Sequence, residues 1–246
     1  LSVIFLKKIK DVKIVLLERN HIDEFNYYNG YIDFVKKKII QILMIFFYSK
    51  ADRIIGNSYD LSKSLQRLVK TNIHTIYNPC YFPSNNNKKK FYNNKHINIL
   101  NVARLELQKD HLTLLKAINN LKGKKKLKLN IVGYGSQLLK IQKYIENNNL
   151  KGLVQLHTNV NNTLKFYKEA DLFILSSIYE GFPNVLVEAA QNNIPIISTN
   201  CNSGPREILL NGRGGELVEI KDHLKISQKI YFFLKNKKIF IKKSQF

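Results

Sequence analysis

Glu180-Gly181-Phe182-Pro183-Asn184-Val185-Leu186-Val187-Glu188 lies between two apolar runs of strand length, residues 170–177 and 194–198. Pro183 falls where a first-turn proline sits, because its fixed φ suits a helix start and its missing N–H costs nothing there. Strand, Gly-containing turn, short helix and strand make one βαβ unit. Two carboxylates then flank a helix N-terminus, where backbone N–H groups and the helix dipole favour anions. A carboxylate only accepts hydrogen bonds. Such a pair beside an anion hole suits a ligand carrying both hydroxyls and phosphate, as a nucleotide sugar does.

Outward from this unit the alternation is regular. Upstream, strand-like runs at 97–102, 127–132 and 153–156 are separated by helical patterns from about Asp110, through Tyr144 to about Asn147, and over 164–168. Leu112, Leu115, Ile118 and Leu121 recur at helical spacing. Downstream come a strand over 216–218 and a helix over 224–234. Alternating strands and helices at this spacing predict an α/β fold with a doubly wound parallel sheet. Ligands collect at the carboxyl ends of such strands, where Arg104, Gly133, Glu180 and Gly204 fall.

The N-terminal third has its own pattern: a strand over 13–17, a helix over 30–48, a strand over 51–58, a helix over 61–68 and a strand over 73–77. Ser58 or Asp60 is the expected cap of the second helix. Arg19-Asn20-His21 follows the first strand. Residues 81–95 include Asn85-Asn86-Asn87-Lys88-Lys89-Lys90, a polar and turn-prone stretch that reads as a linker between domains.

The 246 residues carry a formal net charge of +22, from 34 Lys and 6 Arg against 18 acidic residues. With 29 Asn present as well, the lysine excess has two readings. One is an AT-rich coding bias. The other is attraction to an anionic partner, a membrane leaflet or a phosphorylated substrate. Scarce Arg argues against nucleic acid. Cys80 and Cys201 stand in no metal or redox spacing, which points to a reducing cytoplasm. The longest apolar run, residues 39–48, is half the roughly 20 residues a spanning helix needs; it is expected to be a buried helix, with an interfacial helix as the alternative that Lys36-Lys37-Lys38 leaves open.

Arg104, just after a strand, and Lys109, just before a helix, together suit a diphosphate. Gly133-Tyr134-Gly135 ends a strand and permits close backbone approach to a ligand, but lacks the third glycine of a dinucleotide fingerprint. In Ser203-Gly204-Pro205-Arg206-Glu207 another turn opens a helix, with Gly204 able to offer a bare N–H.

Residues 101–109 (Asn-Val-Ala-Arg-Leu-Glu-Leu-Gln-Lys), Ile131-Val132-Gly133-Tyr134-Gly135 and the Glu-x7-Glu stretch from Glu180 to Glu188 resemble, in order and spacing, the family 4 glycosyltransferases. These are retaining enzymes of the two-Rossmann GT-B fold, and the similarity extends over residues 14–235. Residues 203–208 resemble members that build lipid-linked or capsular oligosaccharides. The resemblance implies that residues 1–80 are the last part of an acceptor-side domain, 81–96 a linker and 97–246 the nucleotide-sugar donor domain. It implies that Arg104 and Lys109 hold the donor diphosphate, that Glu180 approaches the donor sugar, and that Glu188 binds ribose hydroxyls. Gly181, Phe182, Pro183 and Asn184 would line sugar and phosphates, with Gly133, Gly135 and Gly204 close by. Val160 would touch the base and His21 would correspond to an acceptor-side histidine. The implied donor is a UDP-hexose or UDP-N-acetylhexosamine, with no metal or other cofactor at the diphosphate. The implied acceptor is a growing lipopolysaccharide, capsular or lipid-linked glycan, handled in the cytoplasm or peripherally on the inner face of the plasma membrane.

Two departures are visible. The family's glycine before Arg-Leu is Ala103, and the turn after the Glu-x7-Glu helix is Gln191-Asn192-Asn193. A whole family member also has further N-terminal strands and a closing C-terminal helix, so the sequence reads as truncated at both ends. Two alternatives therefore stand beside the transferase: a catalytically inactive nucleotide-sugar-binding fragment, and a GT-B UDP-N-acetylhexosamine epimerase.

Overall fold

Four consecutive apolar residues, Leu172-Phe173-Ile174-Leu175, form strand β7 at the middle of the larger sheet, and all four are buried. Side chains on a strand alternate between faces, so a run apolar throughout needs cover on both sides. The computed structural model describes residues 12–20, 31–69, 71–80, 96–123 and 127–244. Its chain divides into two compact units.

The larger unit holds residues 80–178, 183–201 and 208–246 of the chain. Its six parallel strands are β4 (Ile97–Val102), β5 (Leu127–Val132), β6 (Val154–His157), β7, β8 (Ile196–Thr199) and β9 (Glu216–Val218). They lie in the order β6-β5-β4-β7-β8-β9. The chain thus winds one way from β4 and the other way from β7, which makes the β4–β7 edge the topological switch point. On one face Ile99, Leu172 and Ile174 pack with helices α3 (His111–Asn119), α4 (Leu138–Asn147), α8 (His223–Lys235) and α9 (Lys237–Lys243). On the other, Leu100, Phe173 and Leu175 pack with α5 (Leu164–Glu169) and α6 (Asn184–Gln191).

Helix α9 is absent from the sequence expectation, because four of its seven residues are lysines. Phe240 anchors it in the core, at 5.2 Å from the Phe233 ring, and Lys243 reaches back to Glu216.

The smaller unit contains the chain up to Pro79 with residues 179–182 and 202–207. Strands β1 (Val15–Glu18), β2 (Arg53–Gly56) and β3 (Ile73–Thr75) pair in parallel in that order. They are linked by α1 (Tyr31–Tyr48) and α2 (Tyr59–Val69). Helix α2 buries Leu61, Leu65 and Val69, a one-sided stripe. Helix α1 departs from expectation: Ile39, Ile42, Leu43 and Phe46 of its apolar run are exposed, Ile42 at 64%. Among the described residues three strands form this sheet, too few to cover that face of the helix. Most of the expected linker, residues 81–95, and the lysine run 124–126 lie outside the described residues.

Candidate functional site

Arg104 sits two residues beyond β4 and is exposed, while Lys109 closes a 3₁₀ turn, Leu107–Lys109, before α3. The turn is stitched to the end of β7. The Ser176 hydroxyl donates to the Lys109 carbonyl at 2.8 Å, and the Ile178 N–H donates to the Gln108 carbonyl at 2.8 Å. These bonds hold Lys109 at the carboxyl ends of β4 and β7, the switch point of the sheet. Asp110 then starts α3 by accepting from the Thr113 N–H and hydroxyl, at 3.3 and 2.7 Å.

A second set of bonds joins the loops after β4 and β5. The Leu105 N–H donates to the Tyr134 carbonyl at 2.7 Å, and the Gln137 N–H to the Leu105 carbonyl at 2.8 Å. Glu106 accepts from the Ser136 N–H at 3.0 Å and its hydroxyl at 2.6 Å. Those two donors hold the Glu106 carboxyl below the ordinary carboxylate pKa. Gly133 and Gly135 lie inside this junction, at φ of +156° and +155°. A Cβ on Gly133 would collide with the Ala103 carbonyl, and one on Gly135 would meet the Leu105 carbonyl at 2.5 Å. Both glycines are therefore required by the loop-to-loop approach itself. Val160 is half-buried beyond β6 and packs against the core of that face.

Pro183 stands one place outside the position expected for it. With ψ of 97° it is the N-cap of α6, which begins at Asn184, and it supplies no side-chain oxygen to the first turn. Glu188 is half-buried on α6 and accepts from the Tyr167 hydroxyl at 2.6 Å.

The remaining candidates belong to the smaller unit. Glu180 is 5% exposed, and its carbonyl accepts from the buried Ser203 hydroxyl at 2.5 Å. A Cβ on Gly181 would collide with the Arg19 carbonyl, so this glycine allows two backbones to touch. Phe182 packs on Tyr77, with ring centroids 5.3 Å apart. Gly204, at φ +85°, turns the chain into the short helix α7 (Pro205–Ile208). Glu207 in that helix accepts from the N–H groups of Tyr59 and Asp60, at 2.9 and 2.8 Å, and from the Tyr77 hydroxyl at 3.1 Å. It caps α2 together with Ser58, whose hydroxyl accepts from the Leu61 N–H at 3.3 Å. His21 lies outside the described residues. Among the described residues no three His, Cys, Asp or Glu side chains gather as a metal-holding group.

Residues 84–245 match the family of group 1 glycosyl transferases. The chain belongs to this family. A group 1 glycosyl transferase is what the Glu-x7-Glu resemblance implied. The chain is 32% identical over 226 residues to the uncharacterized glycosyltransferase MJ1059 of Methanocaldococcus jannaschii, covering 85% of this chain and 54% of the relative. It is 30% identical over 223 residues to the N-acetylgalactosamine-N,N'-diacetylbacillosaminyl-diphospho-undecaprenol 4-alpha-N-acetylgalactosaminyltransferase of Campylobacter jejuni, covering 86% and 57%. It therefore spans about half the length of the curated relatives it matches. Among solved structures, a variant of S. aureus TarM in complex with fondaparinux, α-GlcNAc-glycerol and UDP superposes with a TM-score of 0.79 at 22% identity, over 98% of this chain and 48% of that one. That likeness shows the fold, which is α/β with parallel sheets of the GT-B type.

In this group 1 glycosyl transferase the expected site residues fall into two groups. Arg104, Lys109, Gly133, Gly135, Val160, Pro183, Asn184 and Glu188 belong to the larger unit, and Glu180, Gly181, Phe182 and Gly204 to the smaller. Three residues that shape these loops escape sequence reasoning: Glu106, Tyr167 and Glu207. Their partners lie 30, 21 and up to 148 residues away along the chain. No periodic pattern announces pairs at such separations.

No helix among the described residues is long and apolar enough to cross a membrane.

Proposed function

We propose that the chain binds a UDP-sugar at the carboxyl edge of the six-stranded sheet and transfers the sugar, with retention, to a growing cell-surface or lipid-linked glycan. The observation that carries this reading is the placement of Arg104 and Lys109 at the β4–β7 switch point of a group 1 glycosyl transferase. Arg104 and Lys109 meet the diphosphate and stabilise the charge that builds on it as the glycosidic bond to phosphate breaks. Two cations take that load without a metal. Glu188 accepts from the ribose hydroxyls and Val160 borders the base. Support for UDP as the nucleotide comes from TarM and from Anabaena HepE, whose solved structures contain UDP.

Titration of the purified chain with UDP and with UDP-glucose, UDP-galactose and UDP-N-acetylglucosamine tests the reading. Lys109→Ala and Glu188→Ala should each weaken UDP by about 10- to 100-fold, the range for a hydrogen bond to a charged group. No UDP binding, or binding indifferent to both substitutions, would sink the donor-site assignment. Tight binding without transfer to a lipid-linked acceptor would mark the chain as a donor-binding module.

The exposed face of α1 favours a peripheral membrane location. Phe34, Ile42 and Phe46 are open to solvent, with the ammonium groups of Lys38 and Lys50 each 5.8 Å from a phenylalanine ring centroid. An apolar face rimmed by lysine suits an anionic leaflet. Vesicles containing phosphatidylglycerol should sediment the chain and pure phosphatidylcholine vesicles should not; equal sedimentation would remove the electrostatic part of the idea.

A further inference from the structure

Glu188 has a long side chain on a short helix, and something must hold it if it is to accept from two hydroxyls at fixed positions. Tyr167 is the group placed to do this. It lies on α5, its ring is fully buried, and it stacks on Phe173 of β7 at 5.9 Å between centroids and 11° between planes. The phenol donates to Glu188 Oε2 at 2.6 Å. Both residues belong to the larger unit, and α5 and α6 share one face of its sheet. A buried aromatic ring has little freedom, so the hydroxyl is a fixed point against which one carboxylate oxygen is set.

We infer that Tyr167 is a positioning residue for nucleotide binding, fixing Glu188 through Oε2 so that Oε1 is presented to the ribose hydroxyls. This rests on the reading of Glu188 given above. Burial, and next the charge of Glu188, push the Tyr167 phenol well above its ordinary pKa. It stays protonated and keeps donating wherever the protein is folded. A carboxylate ordered before the ligand arrives spares the loss of side-chain freedom that binding otherwise incurs.

The test compares wild type, Tyr167→Phe, Glu188→Ala and the double variant, each titrated with UDP and with 2′,3′-dideoxy-UDP. Tyr167→Phe retains the ring and its stacking, so the fold is kept. It should weaken UDP about five- to tenfold, leave dideoxy-UDP within about twofold of wild type, and add nothing further in the Glu188→Ala background. Equal losses on both ligands would assign Tyr167 a general structural role and overturn the inference. So would independent, additive losses in the double variant, or a Tyr167→Phe protein that binds UDP as wild type does while Glu188→Ala does not. If Glu188→Ala binds UDP unchanged, the ribose reading itself fails, an outcome distinct from all of these.

Discussion

Replacing Glu207 by alanine removes one carboxylate that satisfies three donors from distant parts of the chain. Two are the first N–H groups of α2, from Tyr59 at 2.9 Å and Asp60 at 2.8 Å, and the third is the Tyr77 hydroxyl at 3.1 Å. Helix N-termini leave such N–H groups without intrahelical partners. Losing an N-terminal cap costs about 1 kcal/mol, and losing an anion at the positive end of the helix dipole costs about 0.5–1 kcal/mol more. Tyr59 is 55% exposed, so water takes over part of the bonding and the charge-assisted bonds do not count at full strength. The sum is about 2 kcal/mol, or close to a thirtyfold rise in local opening. Hydrogen exchange reads this directly. Amides of α2 should exchange about thirty times faster in Glu207→Ala, and Glu207→Gln, which keeps one acceptor oxygen, should fall between. Amides of β4 and β5 in the larger unit should be unchanged. Equal protection of α2 in wild type and Glu207→Ala would refute the assignment of Glu207 as its cap.

His111 is 2% exposed, and burial, helped by the charge of Lys109, pushes its pKa down to about 4. The unfolded chain takes up that proton first, so stability should fall by about 1.4 kcal/mol per pH unit from pH 6.5 towards 4. In His111→Leu, followed by urea denaturation across this range, that slope should be absent. Gly133→Ala places a Cβ against the Ala103 carbonyl at a φ of +156° and should cost at least about 2 kcal/mol by the same assay. Glu216 is bonded by Lys229 and Lys243. Burial alone would raise its carboxyl, but the two lysine hydrogen bonds outweigh it and hold the pKa below the ordinary value. Glu216→Gln should therefore lose about 1–3 kcal/mol above the free carboxylate pKa of about 4.3. The difference should shrink as pH falls through the lower folded value, and should be accompanied by faster exchange in α9.

The alternation that builds the larger unit is legible because β7 is apolar throughout, β5 alternates apolar with polar residues, and α3 and α4 bury apolar residues at helical spacing. Leu172 to Leu175 and the α3 stripe of Leu115 and Ile118 need no tertiary information to be read. The same patterns are silent about what covers a face, which is why the apolar run of α1 reads as buried and is exposed. They are silent too where apolar residues are few: α9 has lysines at 237, 238, 242 and 243 and is held by Phe240 alone in the core. Arg104, Lys109 and Glu188 are read as site residues from the family motif, and their roles are what the UDP titration tests. Pro183 was legible to within one residue, its extended ψ placing it at the cap and not in the first turn. The glycines were legible as tight places and not as to what is tight. Gly133 and Gly181 each admit a backbone carbonyl, from Ala103 and Arg19, that the sequence gives no means of locating. Glu106, Tyr167 and Glu207 owe their roles to contacts the fold creates.

The decisive measurement is a crystal structure of the chain with UDP. Density for the diphosphate is expected within hydrogen-bonding distance of Arg104 and Lys109, with the ribose hydroxyls on Glu188 and the uracil beside Val160. UDP bound away from the carboxyl ends of β4 and β7, with Lys109 and Glu188 untouched, would contradict it.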